Sequence, residues 1–216
     1  MAAFSTIILV ALSDRLQFSG KNVSYEDLYK NKFGLSDGSI RVTIQRLFDR
    51  GFVQKIIKNG RTYLRLTSAG EKELTTLFDP KERERWDGKW RVALIDKEKN
   101  FEKRGFGMIQ KGVYISPFPL KDVSSVIVLE TKQLGFLGYR EAAEEAWGLS
   151  KLKNRFEAWF SHANSFRGGM REFASLIFQY EDIVSRVPRL PRELFPQDWP
   201  EERARKKCIK LIEKYF

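Results

Sequence analysis

The sequence holds one cysteine, Cys208, and one histidine, His162, among 216 residues. A single cysteine excludes an internal disulfide and any cysteine-rich zinc site. A single histidine argues against a His-rich metal centre and leaves few ways to build a catalytic triad. No run approaches the roughly 18 continuous apolar residues that a membrane span needs. No positive residue precedes the apolar opening, Met1 to Leu12, as a secretory signal would require. Its apolar positions Phe4, Ile7, Ile8, Ala11, Leu12 and Leu16 fall instead at helical spacing. An amphipathic helix of a cytoplasmic protein is expected, and the lone cysteine suits a reducing compartment. Acidic residues are short as well, 28 against 39 basic, which leaves a net charge of +11. Such a surplus favours a polyanionic partner, nucleic acid ahead of an anionic membrane face. With 42% hydrophobic residues the chain can still bury a core.

What is present divides into three parts. In residues 1–75, Ser24 can cap a short second helix carrying Tyr25, Leu28, Tyr29 and Phe33, ended by Gly34. Ser36 can cap a third helix that buries Ile40, Ile44 and Leu47 and stops at Gly51. Two strand-type runs follow, Phe52 to Ile57 and Thr62 to Leu66, joined by Lys58-Asn59-Gly60-Arg61. Asn-Gly is a strong hairpin signal, because both residues tolerate the positive φ of a type I′ turn. Thr67 then opens another helix. Three helices followed by a β-hairpin spell a winged helix-turn-helix.

Charge gathers in the same place. Residues 36–65 carry seven basic side chains (Arg41, Arg46, Arg50, Lys55, Lys58, Arg61, Arg65) against Asp37 and Asp49, a net +5. At 100° per residue, the face opposite Ile40, Ile44 and Leu47 presents Ser39, Val42, Gln45, Arg46 and Asp49, with Arg41 on its flank. A recognition helix lies in the major groove. There arginine can bond guanine, glutamine can bond adenine and valine can touch a thymine methyl. Arg50, Lys58 and Arg61 are placed for phosphates, which position the protein without specifying sequence, and Asn59 at the hairpin tip joins the expected DNA-binding residues. The expected partner is double-stranded DNA.

A charged stretch, 76–85, reads as a linker. Residues 86–137 follow, with strand-like runs at Trp90 to Ile95, Phe106 to Gln110, Val113 to Ser116 and Val126 to Glu130. Their order suggests a small ferredoxin-like βαββαβ unit. Residues 138–216 look helical. The stripes Leu149, Leu152, Phe156, Trp159, Phe160 and Phe173, Ile177, Tyr180, Val184 suit core faces. Prolines 188, 191, 196 and 200 force an extended path, after which Pro200 can start the last helix. His162 suits a helix end, Cys208 suits packing, and Gly168-Gly169 suits a turn. The fold class expected is α+β.

Three stretches resemble the PaaX-like family of transcriptional repressors. They are Gly34 to Val42 with Gln45-Arg46-Leu47 and Arg50-Gly51-Phe52; Trp86 to Val92 with Asp96 and Gly105 to Pro117; and Ala143 to Leu152 with Leu190-Pro191 and Trp199-Pro200. The resemblance implies a homodimeric repressor on a palindromic operator, with dimerisation through the middle domain. It also implies release by an acyl-coenzyme A effector, typically phenylacetyl-coenzyme A; no bound cofactor is expected. Family members carry a long helix after the first strand of the middle domain. Here only the eight residues Lys97 to Arg104 intervene, about 12 Å of helix at most, so a trimmed unit is expected.

Two alternatives stand beside this one. The family's middle domain is similar to a small ferredoxin-like CRISPR-associated nuclease, in which an aspartate ending the first strand holds a metal. Asp96 falls there, but nuclease chemistry normally needs further carboxylates, and only Glu98 and Glu102 are near in sequence. A winged-helix scaffold that binds proteins is the other, against which the local +5 speaks. The expectation is a non-enzyme.

Overall fold

The computed structural model describes residues 3–11, 22–30, 36–78, 83–94, 101, 105–119, 127–135 and 137–215. Leu12, Leu16, Phe33, Gly34 and Asp96 lie outside them. The chain forms a mixed α+β structure with two antiparallel sheets, arranged in two compact units. One unit comprises Met1–Lys81, Phe156–Ser185 and Glu201–Phe216; the other comprises Glu82–Arg155 and Arg186–Pro200. The segment 138–216 thus contributes to both.

The first unit begins with α1 (Ala3–Ala11), β1 (Val23–Ser24), α2 (Tyr25–Lys30) and α3 (Asp37–Asp49). It continues with β2 (Val53–Lys58), β3 (Arg61–Leu66) and α4 (Ser68–Phe78). Ile8, Leu9, Val10 and Ala11 are all buried, together with Thr6. Four consecutive residues spread around a helix, so the last turn of α1 is buried on every side rather than on one face as expected. It packs on α3 and α4. The hairpin closes with Lys58 opposite Arg61, and Asn59 and Gly60 take φ of 52° and 70°, as a two-residue type I′ turn demands. β1 is too short to announce itself in the sequence. It pairs Val23 with Leu64 and Ser24 with Tyr63, giving a sheet of order β1-β3-β2.

The second unit carries β4 (Trp90–Leu94), β5 (Gly107–Gln110), β6 (Val113–Ser116) and β7 (Ile127–Thr131) in the order β5-β6-β4-β7. Every neighbouring pair is antiparallel. Helices α5 (Tyr139–Trp147) and α6 (Leu149–Ser165) follow. Trp90, Ile115, Ala142, Ala143, Leu149, Leu190, Leu194 and Phe195 form this unit's core. A Cβ on Gly107 would stand 2.5 Å from the Ala146 Cβ and 2.6 Å from the Trp147 ring, so only glycine lets α5 lie on β5. Of the expected linker, Phe78 is a buried helical residue, and Arg83 donates to the Leu190 carbonyl and lies over the Phe195 ring.

Arg91 ties this sheet together. Its side chain is buried, at 5% exposure. It donates to both oxygens of Asp87 at 2.9 and 2.5 Å, to Glu130 at 3.2 Å and to the carbonyl of Pro117 at 3.1 Å. The Arg91 hydrogen bond holds the Asp87 carboxyl below its ordinary range. Lys89, then Arg91, does the same for Glu130.

Helices α7 (Met170–Arg186) and α8 (Glu201–Tyr215) complete the set. Within the first unit, Phe78 stacks on Tyr180, and Tyr180 meets Trp159, whose indole N–H donates to the Leu176 carbonyl at 2.9 Å. Glu181 is buried there, with the Thr6 hydroxyl as its hydrogen-bond neighbour. Burial first, and the nearby Glu73 charge to a lesser degree, push its pKa up to about 7.

Candidate nucleic-acid interface

Helix α3 starts where Ser36, in an extended conformation, accepts the Ser39 backbone N–H at 3.2 Å. That bond satisfies one of the amides a helix start leaves open. Ile40, Thr43, Ile44 and Leu47 face the core. Thr43 was not among the expected inward positions; its hydroxyl donates to the Ser39 carbonyl at 2.8 Å, which makes burial of the polar atom tolerable. The other side presents Ser39, Arg41, Val42, Gln45, Arg46 and Asp49, all exposed, as the 100° step requires. Val42 is 50% exposed.

The hairpin adds a second exposed group. Lys58, Asn59 and Arg61 sit at its tip beside Ile57, which is 78% exposed. Arg50, at the end of α3, lies over the Phe52 ring at 5.2 Å. Lys55 of β2 lies over Phe48 of α3 at 5.1 Å, so one aromatic ring links helix and hairpin.

Arg41, Arg46, Arg50, Lys55, Lys58, Arg61 and Arg65 make no ion pair among the described residues. Asp37 sits in the first turn of α3, where a negative charge suits the helix dipole. Asp49 accepts from the Gln45 side-chain amide at 2.8 Å. That bond takes one amide hydrogen and leaves the second hydrogen and Oε1 for a base edge. Ser36 and Ser39 hydroxyls share a 3.0 Å bond at the opposite end of the same face. From Val42 to Arg46 the rise is about 6 Å, close to two base-pair steps. A helix about 10–12 Å across fits a major groove about 12 Å wide.

Every nominated residue of α3 and the hairpin therefore lies on an exposed surface. Lys55 was counted in the local charge but not among the site residues. Its signal was strand alternation: Val53, Lys55 and Ile57 share one side of β2, and a lysine in that apolar series is out of place. Asp96, the centre of the nuclease alternative, lies outside the described residues. His162 is exposed in the last turn of α6, and Cys208 is fully buried, its thiol pushed up by that burial.

Residues 147–216 match the PaaX-like protein C-terminal domain. The chain is 26% identical to the transcriptional repressor PaaX of Escherichia coli (strain K12) over 242 residues, covering 95% of this chain and 72% of that protein. Among solved structures it is similar to the uncharacterized protein Rv0674 from Mycobacterium tuberculosis. That match has a TM-score of 0.66 and 17% identity, over 98% of this chain and 93% of the other, a likeness of fold. The resemblance to PaaX-like repressors is borne out by the first two matches, one confined to the C-terminal third and one spanning nearly the whole chain.

Proposed function

We propose, taking the PaaX-like character of the chain as premise, that it is a sequence-specific DNA-binding transcriptional repressor and not an enzyme. The observation that carries this is the set of seven cations on α3, its C-terminal end and the β2–β3 hairpin that make no ion pair among the described residues. The repressor relative, similar along 95% of the chain, supports it. In this reading residues 1–75 are a winged helix-turn-helix, with α3 as the reading helix and the hairpin as the wing. Ser39, Arg41, Val42, Gln45 and Arg46 face base edges; Arg50, Lys58, Asn59 and Arg61 hold phosphates.

Residues 86–137 are a ferredoxin-like unit, supported by the β5-β6-β4-β7 order, and serve as the dimer contact. Residues 138–216 form the C-terminal segment. A homodimer sets two α3 helices in successive major grooves about 34 Å apart, on a palindromic operator. An acyl-coenzyme A effector releases DNA by binding the non-binding conformation more tightly than the binding one. The protein acts in the cytoplasm. No helix among the described residues is long and apolar enough to cross a membrane.

Selection of binding sites from random duplexes tests the reading. Recovery of an inverted repeat is expected. Mobility shifts with Arg46→Ala and Lys58→Gln then separate roles: the first weakens binding to the selected site most, the second weakens all duplexes alike. If neither change weakens any complex, the surface is misassigned.

A further inference from the structure

Beside the hairpin lies a cleft of about 510 Å³ lined by Ser24, Glu26, Lys55, Arg61 and Thr62. We propose that it seats one phosphate of the DNA backbone, with Lys55 and Arg61 as its cations and Thr62 as a neutral donor. The proposal rests on the DNA-binding reading and adds a contact to it that joins α2, α3 and the hairpin.

The lining decides the ligand class. Pockets for small organic molecules are walled mostly by apolar and aromatic side chains. All five residues here are polar or charged, so an acyl or aromatic group would find nothing to bury against. A phosphodiester, by contrast, brings one negative charge and several acceptors. Lys55 and Arg61 meet the charge, and neither makes an ion pair among the described residues.

The lysine is also held in place. Lys55 pairs with Leu64, and Leu64 pairs with Val23, so the three share one side of the sheet. Leu64 is fully buried there. Lys55 thus leaves the strand on the core side, and the Phe48 ring 5.1 Å from its Nζ supports the charged end. Thr62 pairs with Ile57 and lies on that side too. Ser24 contributes shape only: its hydroxyl donates to Asp27 at 2.6 Å and accepts the Asp27 backbone N–H at 3.0 Å. Glu26 is the counterweight. It lines the same cleft, and its negative charge lowers the net positive charge that an arriving phosphate meets.

The test is fluorescence anisotropy of the full chain on a selected duplex and on a random one, across a salt series. Lys55→Gln should weaken both complexes by a similar factor and lower the salt slope by about 0.9, the value of one phosphate contact. Glu26→Gln should tighten both. Phe48→Leu, which keeps every charge, should weaken both while thermal melts verify the fold. Inorganic phosphate at matched ionic strength should not compete with the duplex. An unchanged slope in Lys55→Gln, with Arg46→Ala still impaired, overturns the seat and leaves the DNA reading standing. Competition by inorganic phosphate assigns the cleft to a free anion and also overturns it. A wild-type chain that binds no duplex removes both readings together.

Discussion

Arg46 and Arg91 carry the same charge and have opposite lives. Arg91 is buried in the second unit and spends its donors on Asp87, Glu130 and two backbone carbonyls. Its neighbours behave alike: Lys89 pairs with Glu130, and Lys153 pairs with Asp198. On α8, Arg203 pairs with Glu157 and Arg205 with Glu202. Arg46 stands on α3 with Arg41, near five further cations at the helix end and on the hairpin, and none of the seven has an acidic partner among the described residues. A net charge of +11 therefore does not by itself locate a binding surface. What separates the two regions is whether the counter-charge comes from the chain or has to come from elsewhere.

The sharpest way to break this contrast is to remove one arginine from each side. Arg91→Ala removes a buried hydrogen bond to the Pro117 carbonyl and part-buried ones to a second carbonyl and two carboxylates, and should cost about 2–3 kcal/mol of stability. At this chain length that lowers Tm by about 4–12 °C, while the folded fraction keeps its DNA affinity. Arg46→Ala should do the reverse. Its affinity for the selected duplex should fall by about 1–3 kcal/mol, with stability unchanged within about 0.5 kcal/mol. Urea melts and anisotropy on the same preparations check both. A stability loss in Arg46→Ala as large as that in Arg91→Ala would erase the distinction.

The exposed region was the more legible of the two in sequence. Cap residues, a glycine stop and Asn59-Gly60 are local signals, and they placed α3 and the hairpin to within a residue or two. The outward face of α3 followed from helical geometry alone. Partnership was not legible. Nothing in the spacing of Asp87, Arg91 and Glu130 marks them as one network, because β7 meets β4 only after folding. The same holds for β1, two residues long, and for Lys55, whose support by Phe48 depends on how α3 turns into β2. The even burial of α1 was hidden too, since its periodicity looked one-sided until α3 and α4 closed over it. Long-range packing decides such features, and residue spacing does not encode it.

Carboxylates sharpen the contrast from the other side. Asp87 and Glu130 sit below their ordinary pKa because of their cations. Their contribution is full above the unfolded carboxylate range and is lost as pH falls through the folded values. At Glu181 burial outweighs the Thr6 hydrogen bond and the N-terminal charge, which both favour the anion. Its folded pKa of about 7 lies above the ordinary 4.5, so the fold prefers the protonated form. Stability from this group is full below the unfolded value, declines as pH rises, and levels off past pH 7. Melts from pH 5 to pH 8 should show Tm falling by several degrees in the wild type and less in Glu181→Gln. An identical slope in the variant would mean another group sets the pH dependence.

The smallest effects come from exposed lysines, where the contrast is most exposed to failure. Lys89 and Glu130 meet at 3.2 Å, with side chains 44% and 50% exposed. Water and salt compete well for such a pair, and Glu130 keeps Arg91 when Lys89 is gone. Lys89→Gln should therefore barely move Tm and leave the salt slope of DNA binding untouched. Lys58→Gln should also leave Tm alone, since no acid among the described residues pairs with Lys58, yet lower that slope by about 0.9. Both substitutions remove one positive charge, so a long-range field acting through net charge would change the two slopes alike. Equal slopes in the two variants would show that total charge, and not the unpaired state of particular cations, governs the association.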